Sequence, residues 1–173
     1  MPSRVSLQNF TSLVDPQTTF DWAIWLPIVP GGTYSTKDFT FRCVSASIPK
    51  VGSEDFKVEA HGMQLQFPGR RIWDMKMTVK VFETRDGVAR DLIDSWINMQ
   101  RDIRFNTGSY KALYAVNAEA NLYDATGSIT QRQQWVNFYP LERGEGTLDQ
   151  SSSSMSYDVS FSYDFAFPIP LNN

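Results

Sequence analysis

Sulfur and imidazole are nearly missing from this 173-residue chain, which carries one cysteine, Cys43, and one histidine, His61. A lone cysteine closes no intrachain disulfide, so a reducing compartment is the default expectation. Cys43 falls in a strand-like run, where a thiol behaves as a small inert hydrophobe. No Cys/His metal cluster can be assembled from one residue of each kind, and no metal or cofactor is expected. A His–carboxylate triad has to use His61, which shares a polar strand face with Lys57 and Glu59 and reads as solvated. Long apolar runs are missing too. The longest, Trp22 to Val29, is eight residues and contains Pro27, too short to span a membrane. The polar opening Met1 to Gln8 leads into no apolar h-region, so no signal peptide and an intracellular soluble product are expected. Positive charge is scarce: sixteen Lys and Arg face nineteen Asp and Glu, for a net charge of −3. After Arg143 there is no Lys or Arg, only Glu145, Asp149, Asp158 and Asp164. That balance lacks the basic footprint of a tight nucleic-acid binder. Phosphate-binding glycine loops and calcium loops do not occur. Arg70-Arg71 beside Gly69 reads as a solvated or interface pair, and no carboxylate is singled out as half of a glycosidase pair. The chain is read as no enzyme.

What is present is alternation. Met155, Tyr157, Val159, Phe161, Tyr163, Phe165 and Phe167 are separated by Ser156, Asp158, Ser160, Ser162, Asp164 and Ala166. Side chains of a strand point alternately to opposite faces, so this predicts one half-buried strand of about 43 Å at ~3.3 Å per residue. A strand so long, with a polar face, is expected either in an ordinary sandwich or in a sheet shared between subunits. Similar alternation predicts strands over Phe20–Ile28, Phe39–Ile48, Trp73–Phe82, Tyr114–Leu122 and Ser128–Tyr139. Pro49 to Arg71 is predicted to form an extended hairpin closed by Pro68-Gly69. Asp124-Ala125-Thr126-Gly127 is predicted as a turn. One segment changes period: Val88, Leu92, Trp96 and Met99, widened by Ile93 and Ile97, follow helical spacing. Asp86 is its expected N-cap, with Arg101 and Arg104 near its C-terminus. Val88, Leu92 and Trp96 are expected to dock this helix on the outer wall and to form the subunit's core. The fold class is mainly β, with about seven strands and one α-helix. The expected organisation is an amino-terminal arm (1–19), a single β domain (20–168) and a tail (169–173).

The order of these pieces resembles the tail tube proteins of contractile-tailed bacteriophages, over roughly Phe20 to Phe167. The carriers are Phe39-Thr40-Phe41-Arg42-Cys43-Val44-Ser45-Ala46-Ser47-Ile48-Pro49, Phe67-Pro68-Gly69-Arg70-Arg71, the helix ending near Asp94-Ser95-Trp96-Ile97, and Leu122-Tyr123-Asp124-Ala125-Thr126-Gly127. Trp135-Val136-Asn137-Phe138-Tyr139-Pro140 and Val159-Ser160-Phe161-Ser162-Tyr163-Asp164-Phe165 complete them. The serine run 151–154 and the amino-terminal arm have no counterpart in the resemblance.

The resemblance implies a small β-barrel or sandwich of about seven strands with one flanking α-helix, and a structural subunit whose partner is itself, in homo-hexameric rings stacked into a tube. Sheath and baseplate proteins would be further partners, and DNA would pass through the lumen without specific binding. The location implied is the virion tail, assembled in the host cytoplasm. A baseplate tube-initiator ring and a type VI secretion tube protein are alternatives within the resemblance. A carbohydrate- or protein-binding β-sandwich using Trp22, Trp25 or Trp135, and a hydrolase, are alternatives outside it. Lumen candidates are Ser156, Asp158, Ser160, Ser162 and Asp164, together with Asn117, Glu119 and Asn121, giving an acidic, hydroxyl-rich surface that repels phosphate. Lys76 and Lys80 fit less well if their strand lines the same pore. Ring-stacking candidates are Lys50, Val51, Glu54, Asp55, Phe56, Lys57, Arg70 and Arg71, in a segment longer than the usual connection.

Overall fold

A computed structural model describes residues 21–31, 34–60, 62–102, 105, 107–124, 126–146 and 155–171. The arm (1–19), His61, Arg104 and the serine run 151–154 lie outside the described residues. Phe20–Ile28 alternates, but only β1 (Trp22–Trp25) pairs as a strand. Phe39–Ile48, expected as one strand, is two elements. Ser35 accepts a hydrogen bond from the Lys37 amide while Asp38 accepts one from the Ser35 amide, and this capping box starts the short helix α1 (Thr36–Thr40). It places Phe39 in the core and leaves β2 (Cys43–Ala46) as a short strand.

The Pro49–Arg71 segment forms β3 (Val51–Ala60) and β4 (Met63–Trp73), an antiparallel hairpin. Pro68-Gly69 does not close it but lies within β4, at a register shift opposite Ser53 to Asp55. Proline has no amide to donate to a ladder, and a bulge accommodates that. A Cβ on Gly69 would stand 2.8 Å from the Glu54 carbonyl oxygen, so this crossing needs glycine.

β5 (Lys76–Phe82) leads to the helix α2 (Val88–Gln100). Its N-cap is Gly87, in the left-handed region at φ 72°, not Asp86. The cap comes from outside the helix: the Glu83 carboxylate accepts from the amides of Thr84, Ala89 and Arg90. Asp86 instead accepts from the Thr84 hydroxyl. A second short helix, α3 (Lys111–Tyr114), replaces the start expected for the next strand, and β6 begins at Val116 (Val116–Tyr123). Then follow β7 (Ile129–Arg143), β8 (Ser156–Ser162) and β9 (Phe165–Pro168).

The strand order is β1-β6-β7-β8-β5-β2, with β9 added to β7; β1 and β2 do not pair, so the roll is not closed into a barrel. β7 belongs to two leaves. Its first half pairs with β6 and β9, its second half with β8. Strands that pass between packed leaves bend at bulges, and both passing strands break at the same place. Trp135 and Phe138 are both buried, so the period slips across Asn137, which has φ 55°. The Met155–Phe167 alternation likewise is not one strand. Tyr157, Val159, Phe161 and Tyr163 are buried, but past Asp164 the parity reverses, with Phe165 and Phe167 exposed.

The two leaves enclose one apolar cluster that includes Ile24, Val79, Phe138, Val159 and Phe161. Helix α2 adds Ala89, Leu92, Ile93 and Trp96, while Val88 is only half-buried. Trp96 packs edge-on against Phe39, Phe138 and Phe161 at centroid distances of 6.5, 6.4 and 6.0 Å. These are inner-face residues, so Leu92 and Trp96 of α2 lie in the core, as their helical spacing led one to expect. Its indole N–H donates to the Tyr114 carbonyl at 2.6 Å. Arg143 holds the exposed flank, donating to both oxygens of Asp94 at 2.7 and 3.2 Å over the ring of Tyr157.

Candidate assembly surfaces

The hairpin β3–β4 pairs with itself and packs extensively on no other described element. One face carries the cross-strand pairs Phe56↔Phe67 and Val58↔Leu65, the other Lys57↔Gln66 and Glu59↔Gln64. The rings of Phe56 and Phe67 stack at 5.5 Å, yet the residues remain 52% and 43% exposed, and Val58, Met63 and Leu65 are exposed as well. Of the stacking candidates, Lys50, Glu54, Asp55, Lys57, Arg70 and Arg71 are exposed. Glu54 and Arg70 approach to 3.5 Å near the bulge. The side chain of Val51 lies outside the described residues. The apolar side of the hairpin also includes Val58, Met63 and Leu65, which their alternation with polar residues marks in the sequence.

The lumen candidates divide between leaves. Ser156, Asp158, Ser160 and Ser162 lie on the outer face of the β7-β8-β5-β2 leaf. Asn117 and Glu119 lie on the outer face of the β1-β6-β7-β9 leaf, where Glu119 is 3.8 Å from Arg132. Asn121, on that same face, is buried and accepts from Arg132 at 3.2 Å. Because the inner faces of both leaves meet in one core, these two polar surfaces face away from each other. The β8 surface is also not acidic. Antiparallel pairing sets Lys80 opposite Asp158, Thr78 opposite Ser160 and Lys76 opposite Ser162, while Glu142 stands opposite Ser160 on the other side. Two lysines and two carboxylates thus share a hydroxyl-rich face. The acidity inferred from β8 alone is cancelled by β5, a cross-strand neighbour eighty residues distant that alternation within one strand does not reveal.

Asp164 stands apart from the other β8 candidates. It sits at the bend between β8 and β9 and accepts from Lys111 Nζ at 2.6 and 2.7 Å and from Asn137 Nδ2 at 2.7 Å. Its amide donates to the Val136 carbonyl. The hydrogen bond from Lys111, then that from Asn137, hold its carboxyl below the usual range, and the same contact raises Lys111. This residue pins the corner at which β7, and the chain between β8 and β9, pass from one leaf to the other.

Cys43 is half-buried and its Sγ points to the Phe39 carbonyl at 3.3 Å; burial pushes the thiol up to about 12, which disfavours the thiolate. Among the described residues no group of three or more His, Cys, Asp or Glu is placed to hold a metal ion. No described helix is long and apolar enough to cross a membrane.

No protein-family model matches the chain, and no curated protein matches it. Solved structures do. The sheath/tube terminator of the PVC extracellular contractile injection system, in its extended state, aligns at a TM-score of 0.67 and 12% identity, over 92% of this chain and 100% of that one. The tube-terminating cap of the anti-feeding prophage aligns at 0.66 and 15%, over 92% and 95%. The PVC sheath–tube complex aligns at 0.61 and 13%, over 96% and 99%. With coverage nearly complete on both sides, the chain has the fold found in contractile-injection tube and tube-terminator structures.

Proposed function

We propose that this chain is a structural, ring-forming subunit of a tail tube, six copies to a ring, with rings stacked through β3–β4. The observation that carries the reading is the hairpin. An isolated two-stranded hairpin is at best marginally stable in water, and this one leaves an aromatic, apolar face uncovered by the described residues of its own subunit. A second copy of the chain in the next ring covers that face, with Lys50, Glu54, Asp55, Arg70 and Arg71 as a charged rim. The tube-like fold supports the same reading. The β7-β8-β5-β2 leaf supplies the lumen in this proposal, because its outer face is a continuous surface of serine, threonine and balanced charge. Such a surface gives phosphates little to hold, so DNA slides past it. Asn117 and Glu119 then belong to the opposite side, toward sheath or solvent.

Similarity to terminator structures favours a second reading, a ring that ends the tube. Electron microscopy of the purified protein separates the two. Tubes support the tube subunit, single rings that halt tube growth support the terminator, and a monodisperse monomer overturns both. Replacing Ser53–Arg71 by a tight turn is expected to leave folded rings that no longer stack. Tubes of normal length from that variant would remove the stacking role.

A further inference from the structure

The unclosed seam between β1 and β2 contains an apolar cleft of about 780 Å³, walled by Trp22, Ile48, Leu122, Trp135, Ile169 and Leu171 among others. Ser47, Thr130 and Gln131 belong to its polar lining. A cleft of this size takes several side chains entering together. The buried Trp135 in its wall has an indole N–H with no acceptor among the described residues, unlike Trp96, which donates to Tyr114. We infer that the apolar side of β3–β4 from a second copy of this chain docks in the cleft, so that each hairpin covers a neighbour's seam. The inference rests on the stacking role proposed for the hairpin and names the surface that receives it.

Three observations lead there. The two surfaces match in chemistry. Phe56, Val58, Met63, Leu65 and Phe67 share one side of the hairpin and are all exposed, and the cleft offers apolar walls with a polar edge, the pattern of an interface core and rim. The two surfaces also do not meet within one copy. Ile48 stands in the cleft wall and Phe56 follows eight residues later, a reach of roughly 26 Å at ~3.3 Å per residue of extended chain. No described residue of β3 or β4 lines the cleft of its own subunit, and the hairpin packs extensively on no other described element. A surface and its complement at separate places on one chain make a head-to-tail contact, which repeats from copy to copy without saturating, as stacking requires. Finally, β3 and β4 pair only with each other, so each keeps a free outer edge whose unpaired carbonyls can accept from the Trp135 N–H. A paired hairpin already holds its side chains in one arrangement, which lowers the ordering cost of docking relative to a flexible occupant.

The test uses the full chain with its native thiol removed by Cys43→Ser. One preparation carries Leu65→Cys and a second carries Leu122→Cys or Leu171→Cys; the two are mixed, assembled together and mildly oxidised. Arg90→Cys, on the exposed side of α2, replaces the cleft position in the control. Linked pairs joining the hairpin position to a cleft position, located by peptide mass spectrometry and absent from the control, are expected. Tubes without such a link overturn the inference and leave the stacking reading standing. A link only between two Leu65→Cys copies also overturns it, because hairpin then packs on hairpin. Cleft links in a product that stops at dimers uphold the docking and overturn the tube, while an unlinked monomer overturns both. Separately, the Leu171→Cys thiol is expected to react with a maleimide about tenfold more slowly in the assembled full chain than in rings with Ser53–Arg71 replaced by a tight turn, as for a site covered about nine-tenths of the time. Equal rates overturn the inference.

Discussion

Single residues carry two kinds of weight here, and the sequence distinguishes them only in part. Trp96 is fully buried, contacts three aromatic rings and satisfies its N–H on Tyr114. Helical spacing alone marks it as core. Trp96→Ala is expected to cost about 3–5 kcal/mol, a fall in Tm of roughly 6–20 °C, measurable by thermal unfolding. Asp164 is the opposite case. Alternation gives it the same polar-face reading as Asp158, but its partners Lys111 and Asn137 come from other elements. Only the tertiary corner identifies it. Asp164→Asn is expected to destabilise by about 1 kcal/mol, a charge-assisted bond discounted for a pair about a third exposed. The sign of the pH dependence follows from the depressed carboxyl. Its contribution is complete above the unfolded value of about 3.9 and is lost as pH falls through the native pKa. Lys111, whose pKa is raised, loses its share only at alkaline pH, as pH climbs through its native value. The difference in stability between native protein and Asp164→Asn should therefore shrink in acid. A difference that stays constant from pH 7 to pH 2 would remove the ion pair from the account.

At the scale of elements, hydrophobic period located β5, α2, β6, β7 and β8, and failed where two local signals compete. Between Phe39 and Ile48 alternation argues strand, yet Ser35, four residues upstream of Phe39, forms a capping box with Asp38, and the helix wins through residue 40. In Met155–Phe167 the pattern is unbroken, but a strand that changes leaf must bend. The signal for that bend is the side-chain trio at Asp164, which has no period. The cap of α2 shows a similar limit. Asp86 stands where an N-cap residue is expected, but the chain turns at Gly87, with φ 72°, and hands the free amides to Glu83 at the end of β5. Glu83→Ala is expected to cost about 1–2 kcal/mol, since it strips an anionic cap from a helix N-terminus, and the loss is read in urea unfolding. Because Asp86 accepts from Thr84 and from no helix amide, Asp86→Ala should leave the helix intact. The reverse ranking would return the cap to Asp86.

For the whole molecule, charge is decided by which strands stand side by side, and this is what single-strand reading leaves out. The chain has no positive residue after Arg143, yet the face holding Asp158 is neutralised by Lys76 and Lys80 from β5. In the proposed tube this matters because an evenly balanced, hydroxyl-lined bore neither traps nor strongly repels phosphate. Asp158 is exposed on the middle of β8, contributes nothing to the core and makes no pin like that of Asp164. Asp158→Lys should therefore preserve folding and ring assembly. It turns the balanced face positive, adding on the order of twelve unit charges to a six-copy ring by a two-charge change per subunit, and counterion release then favours DNA retention. The expected outcome is particles of normal shape and number whose DNA ejection is slowed at low salt and recovers as ionic strength rises, because salt weakens phosphate contacts steeply. The double change Asp158→Lys/Lys80→Asp restores the balance and should restore ejection. Normal ejection by the single variant at low salt would place the β8 face outside the bore, and leave the opposite leaf, with Asn117 and Glu119, to line it.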